Sequence, residues 1–114
     1  MAVDTAIAAF TANSAGVTPN YTGLNDSDTF GFRNGGTEIL HIANGSGNTA
    51  TITLVTTKVV DGNEVADKEY TIEDGKAIFI GGLDPAVYND GDGYATFTCD
   101  QASGVEAAVL RGGR

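Results

Sequence analysis

A chain of 114 residues with 6 basic and 15 acidic side chains, formal net charge −9, has the length of one domain that can bury a core without disulfides or metals. Its cations (Arg33, Lys58, Lys68, Lys76, Arg111, Arg114) are scattered and form no stripe, so the basic patch that nucleic-acid binding needs is missing and no direct nucleic-acid partner is expected. The lone Cys99 leaves no internal disulfide and implies no oxidising compartment.

Met1 to Thr5 carry neither the cationic start nor the long apolar run of a secretion signal. No apolar run approaches the length that spans a bilayer. Synthesis in a cytoplasm, with no membrane partner, is the expectation.

Residues 2–12 fit two periodicities. Val3, Ile7 and Phe10 have helical spacing, while Val3, Thr5, Ile7, Ala9 and Thr11 share one face of a strand. Gly16, Pro19, Asn20 and Gly23 then give a loop composition. Residues 1–24 therefore read either as an extended arm, with a short strand near Ile7, or as an ordinary edge strand plus loop, ahead of a β domain over 25–114. The arm holds Val3, Ile7, Phe10 and Tyr21, apolar side chains with no obvious strand partner in their own chain. Such side chains find a partner surface, so these residues are the expected contacts to another protein or another copy.

From Asn25 onward short strands and turns alternate. Phe30 and Phe32 share one face of a strand over 29–33, and Asn34-Gly35-Gly36 turns the chain into a strand over 38–43. Asn44 to Asn48 form a loop into a Thr-rich strand from Thr49 that is expected to reach Val60. In it Ala50, Ile52 and Leu54 face one way, and Thr49, Thr51, Thr53 and Val55 the other. Asp61-Gly62 is a strong turn pair, and Asp74-Gly75 reads as a type I′ hairpin turn between strands at 68–72 and 77–80. Pro85 starts one helical turn, and Asn89 to Gly93 form an acidic turn. In the strand over 94–99, Ala95, Phe97 and Cys99 point inward and Thr96 and Thr98 outward. The last strand covers 105–111. The pattern predicts an all-β, single-domain β-sandwich or small barrel of seven to eight short antiparallel strands with almost no helix.

No catalytic constellation emerges. His41, the only histidine, lies mid-strand with parity opposite to Leu40 and Ile42, and no signature supplies it with a nucleophile. Gly45-Ser46-Gly47 joins two strands, not the strand and helix of a nucleophile elbow. An EF-hand alignment of Asp90-Gly91-Asp92-Gly93 puts Tyr88 and Cys99 where carboxylates are needed. That leaves only a looser set of Asp84, Asp90 and Asp92 as a calcium alternative. Cys99 reads as a small buried hydrophobe. Neither an enzyme activity, a cofactor nor a metal is expected.

The order of elements nonetheless carries a resemblance, in its turns and strands and not in site residues. Leu40-His41-Ile42-Ala43-Asn44-Gly45-Ser46-Gly47 leads into the Thr-rich strand. Val60-Asp61-Gly62-Asn63-Glu64-Val65-Ala66-Asp67, Glu73-Asp74-Gly75, Ile80-Gly81-Gly82-Leu83-Asp84-Pro85 and Tyr88-Asn89-Asp90-Gly91-Asp92-Gly93 follow, and Val105 to Arg111 closes the chain. Over about Thr29 to Arg111 this resembles the small head decoration (auxiliary capsid) proteins of tailed bacteriophages. Small tail and adaptor components of phages are similar in style. The resemblance implies a β-rich structural protein on the outer capsid surface of a virion, often a trimer near three-fold positions. Its partners would be the major capsid protein and further copies of itself. The rival reading is a carbohydrate- or calcium-dependent β-sandwich binding module, which exposed Tyr or Trp faces would favour; Trp is absent.

Overall fold

The structure, a computed structural model, describes residues 3–11, 14–18, 21–57, 59–64 and 66–111. Among them the fold is all-β, with one helix of 4 residues. The strands are β1 (Thr5–Ala6), β2 (Ala9–Thr11), β3 (Thr22–Gly23), β4 (Phe30–Arg33), β5 (Ile39–Asn44), β6 (Ala50–Leu54), β7 (Val59–Val60), β8 (Asn63–Glu64), β9 (Lys68–Ile72), β10 (Ala77–Gly81), β11 (Tyr94–Cys99) and β12 (Val105–Arg111). The helix α1 (Pro85–Tyr88) precedes β11.

One five-stranded sheet, sheet A, runs β1-β4-β11-β6-β9; the other, sheet B, runs β10-β5-β12-β2, with β3 also paired to β12. β7 and β8 form a separate ribbon. The predicted alternation produces a shared core. Ala50, Ile52 and Leu54 of sheet A and Leu40, Ile42, Val105 and Val109 of sheet B are buried in one cluster, around Phe30, Phe32 and Phe97. The Phe97 ring centroid lies 5.8 Å from that of Phe30 and 6.5 Å from that of Phe32. Cα extents of 46 × 37 × 21 Å suit two layers of sheet.

Several expectations require correction. Strands outnumber the predicted seven or eight, because β1, β2 and β3 arise in the N-terminal region and the predicted 49–60 strand breaks into β6 and β7. The sheets are mixed: β1 runs parallel to β4 and β2 parallel to β12. The described residues of 1–24 accordingly form no free arm but short strands paired onto both sheets. Ile7 and Leu24, 4% and 3% exposed, belong to the core, and the Leu24 N–H donates to the Val105 carbonyl at 2.8 Å. Strands of two and three residues are too short to settle a period, which is why residues 2–12 fit both a helical and a strand spacing in sequence.

The two Asp-Gly turns diverge. Asp61 and Gly62 have φ of 52° and 81° and close the antiparallel β7–β8 ribbon, as a type I′ turn does. Asp74-Gly75 closes no hairpin, since β9 belongs to sheet A and β10 to sheet B. Only Gly75 has positive φ there, and the Lys76 N–H donates to the Glu73 carbonyl at 3.0 Å, the type II pattern. The turn carries the chain from one sheet to the other.

The helical turn at Pro85 forms as its sequence suggests. Asp84 is the N-cap, its carboxylate accepting from the Ala86 N–H at 2.9 Å, with proline in the first turn. The C-terminal Gly112-Gly113-Arg114 lies outside the described residues.

Candidate functional site

The two sheets differ on their outward faces, and register decides how. On sheet A, Thr51 pairs with Thr71, and Thr53 with both Thr98 and Glu69, so this face carries hydroxyls and charge. Thr96, outward by parity, is only 2% exposed. It pairs with Gly31, over which the half-buried Val3 side chain lies so closely that a Cβ on Gly31 would meet it at 2.7 Å.

On sheet B the outward positions are apolar or aromatic. Phe79 on β10 pairs with His41 on β5, which pairs with Ala108 on β12. Leu110 sits between Ile39 and Phe10. The His41 ring stacks on Phe79 with centroids 4.5 Å apart, and Tyr21 tilts against the other side at 5.8 Å. The Tyr21 hydroxyl and His41 Nδ1 are 3.4 Å apart. Phe79 is 70% exposed and Tyr21 41%. Glu106 is the only charged side chain at the outward positions of β5, β10 and β12. A protein of net charge −9 thus keeps one sheet face almost free of charge.

The four residues expected to make contacts separate. Ile7 is core and unavailable to a partner, and Val3 packs on sheet A. Phe10 and Tyr21 both reach the outward face of sheet B, where Phe79, Ile39 and Leu110 join them. Sequence reasoning passed over those three, although parity pointed to Phe79, which alternates with the core-facing Ile78 and Ile80.

The acidic turn uses its carboxylates internally. Asp90 Oδ1 accepts from the Asp92 N–H at 2.8 Å and the Tyr94 N–H at 3.0 Å, and Asp84 caps α1. Among the described residues no three His, Cys, Asp or Glu side chains gather as metal ligands. Cys99 is buried, 5% exposed; burial pushes its thiol pKa up, and the charges of Asp100 and Asp26 add to the shift.

Glu38, just ahead of β5, is 5% exposed and held from both sides. Its Oε1 accepts from the Gly35 N–H at 2.6 Å and its Oε2 from Arg111 Nε at 3.0 Å. Burial alone would raise its pKa, but these hydrogen bonds and the guanidinium charge outweigh it and hold the carboxyl below its ordinary 4.5. A depressed folded-state pKa stabilises the fold above the ordinary value, and the gain disappears as pH falls through the lower folded value. Glu38→Gln is therefore expected to cost about 1–2 kcal/mol near neutral pH and less in acid. Urea melts of both proteins down a pH series test this; a constant difference across the acid range would contradict it.

The chain matches no protein-family model, no curated protein and no solved structure.

Proposed function

We propose that this chain is a structural virion protein that binds the outer surface of a phage capsid and stabilises contacts between major capsid subunits. The observation that carries the reading is the face of sheet B. The exposed Phe79 and Tyr21, with the half-buried His41, form a ring row on a face that bears almost no charge, while the molecule as a whole carries −9. Burying Phe79 alone contributes about 1.5–3 kcal/mol to association, and aromatic side chains are enriched at the cores of protein interfaces. An acidic surface elsewhere keeps many copies apart in solution.

In this reading the two sheets form a β-sandwich, its sheet B face seats on the major capsid protein, and copies associate, as a trimer, at the outer shell. No cofactor and no enzymatic step is involved. The phage resemblance over Thr29 to Arg111 supplies the identity of the partner; the sheet supplies the surface.

A carbohydrate-binding module also uses exposed rings on a sheet. Sugar hydroxyls need several polar partners beside those rings, whereas the outward neighbours here are Ile39, Ala43, Ala77, Ala108 and Leu110, with Glu106 the one charged side chain among them. That favours a protein surface.

The reading is tested by mass spectrometry of purified virions of the encoding phage. The polypeptide is expected there in a copy number comparable with the major capsid subunit. Its production during infection without incorporation into virions would overturn the assignment.

A further inference from the structure

A second feature lies at one end of the sheets, away from the aromatic row. Arg33 ends β4 and Arg111 ends β12, and both line two adjoining cavities of about 290 and 360 Å³. The first is walled by Ala6 to Ala9 and Tyr94, the second by Asn34, Gly35, Glu38, Asn89 and Gly93. Two of the chain's six cations thus converge on a molecule with 15 acids, and Glu38 is the only acid lining either cavity.

Both guanidinium groups are positioned but not saturated. The Arg33 guanidinium lies 5.0 Å from the centroid of the Tyr94 ring, which orients it, and Arg33 makes no ion pair with a described residue. Arg111 uses Nε on Glu38, and its side chain remains 47% exposed, with no further hydrogen bond to a described residue. Glu38 itself is anchored by Gly35, so it fixes the Arg111 stem and leaves the outer edge of the fork unused. The polar side chains on the far wall serve each other: Asn34 Nδ2 donates to Asn89 Oδ1 at 2.8 Å, and Asn89 Nδ2 donates to the Asn34 carbonyl at 2.7 Å. They do not compete for the arginines.

We propose that the Arg33–Arg111 cleft binds a carboxylate group, from an acidic protein segment or from a free small carboxylate. Planar guanidinium forks match carboxylate oxygens in paired, charge-assisted hydrogen bonds. The cavities admit a side chain of that size. A phosphate dianion fits less well, because its second charge would face Glu38 within the same wall and the acidic molecule around it. The contact is independent of the sheet B face and adds a polar, orienting interaction to an apolar one.

The test uses the full chain labelled with 15N, following the Nε–Hε signals of Arg33 and Arg111 at low salt. The probes are capped glycyl-aspartyl-glycine, its asparaginyl counterpart, succinate and inorganic phosphate. The aspartyl peptide should shift both signals saturably, and added salt should weaken binding. Arg33→Gln, a change at an exposed strand end, should weaken it about tenfold or more. Tighter binding of the peptide than of succinate assigns a protein segment as the source, and equal binding assigns a free carboxylate. The proposal is overturned if neither carboxylate shifts the signals, if the asparaginyl peptide or phosphate does so as strongly, or if Arg33→Gln binds unchanged. The wild-type titrations decide the matter even if the variant fails to fold.

Discussion

Asn44→Ala is expected to lower stability by about 3–5 kcal/mol, a large share of the roughly 5–15 kcal/mol that holds a domain folded. Asn44 is 2% exposed at the end of β5. Its Nδ2 donates to the Asn48 carbonyl at 2.7 Å and the Ile72 carbonyl at 2.8 Å, and its Oδ1 accepts from the Ser46 N–H at 3.0 Å and the Ser46 hydroxyl at 2.7 Å. Its backbone adds two links to the inter-sheet turn, receiving from the Gly75 N–H and donating to the Lys76 carbonyl. Truncation removes four side-chain hydrogen bonds, each worth about 0.5–1.5 kcal/mol, and takes the amide donor from the buried Ile72 carbonyl. Asn44→Asp keeps the shape but turns a carboxylate toward two carbonyl oxygens, so it should fare no better. Thermal melting checks both, with a fall of roughly 10–20 °C expected for the alanine variant. A shift of only a degree or two would mean that the amide is not the tie between the sheets.

The second large effect is at Gly104, in the turn between β11 and β12. Its φ is +86°, and a Cβ there would lie 2.5 Å from the Cα of Ser46. That neighbour is backbone and cannot rotate away. The Gly104 carbonyl also accepts from the Gly45 N–H at 2.8 Å, so moving the turn aside breaks a link to the β5–β6 loop. Gly104→Ala should cost about 1 kcal/mol for the left-handed backbone and about 1–3 kcal/mol more for the forced shift. Gly75 separates the two contributions, because its φ is +80° but no atom lies within 4 Å of its added Cβ. Gly75→Ala should therefore lose only the backbone contribution. Equal losses at the two positions in urea unfolding would show that no clash exists at Gly104.

How much of this was legible in sequence depends on the length over which a signal repeats. β6 declared its two faces because five residues alternate without interruption. β5 did likewise, and Asp61-Gly62 and Asp84-Pro85 carried local turn and cap chemistry that needs no tertiary context. β1 and β3, two residues each, had no room for a period, and β1 is held by a parallel partner distant in sequence. Asp74-Gly75 misled because a turn signal says where the chain bends but not which sheet receives the next strand. Asn34 and Asn44 looked like ordinary turn residues; their burial follows from where Leu83 and Ile72 place their carbonyls, 49 and 28 residues later. The aromatic row was half visible. His41 and Phe79 have outward parity in their own strands, but that they stack, with Tyr21 completing the row, required the β10–β5–β12 register.

The central claim, that the sheet B face seats on a capsid, is tested most directly by co-sedimentation. Capsid shells of the encoding phage lacking this polypeptide would be mixed with wild type, Phe79→Ser and Thr53→Asp, and the bound fraction measured across protein concentration. Phe79 is 70% exposed, so its replacement should leave folding within about 0.5 kcal/mol of wild type while weakening attachment about tenfold or more. Thr53→Asp, on the outward face of sheet A, should bind like wild type. Undiminished sedimentation of Phe79→Ser, with loss confined to Thr53→Asp, would contradict the account and turn the molecule over on its shell.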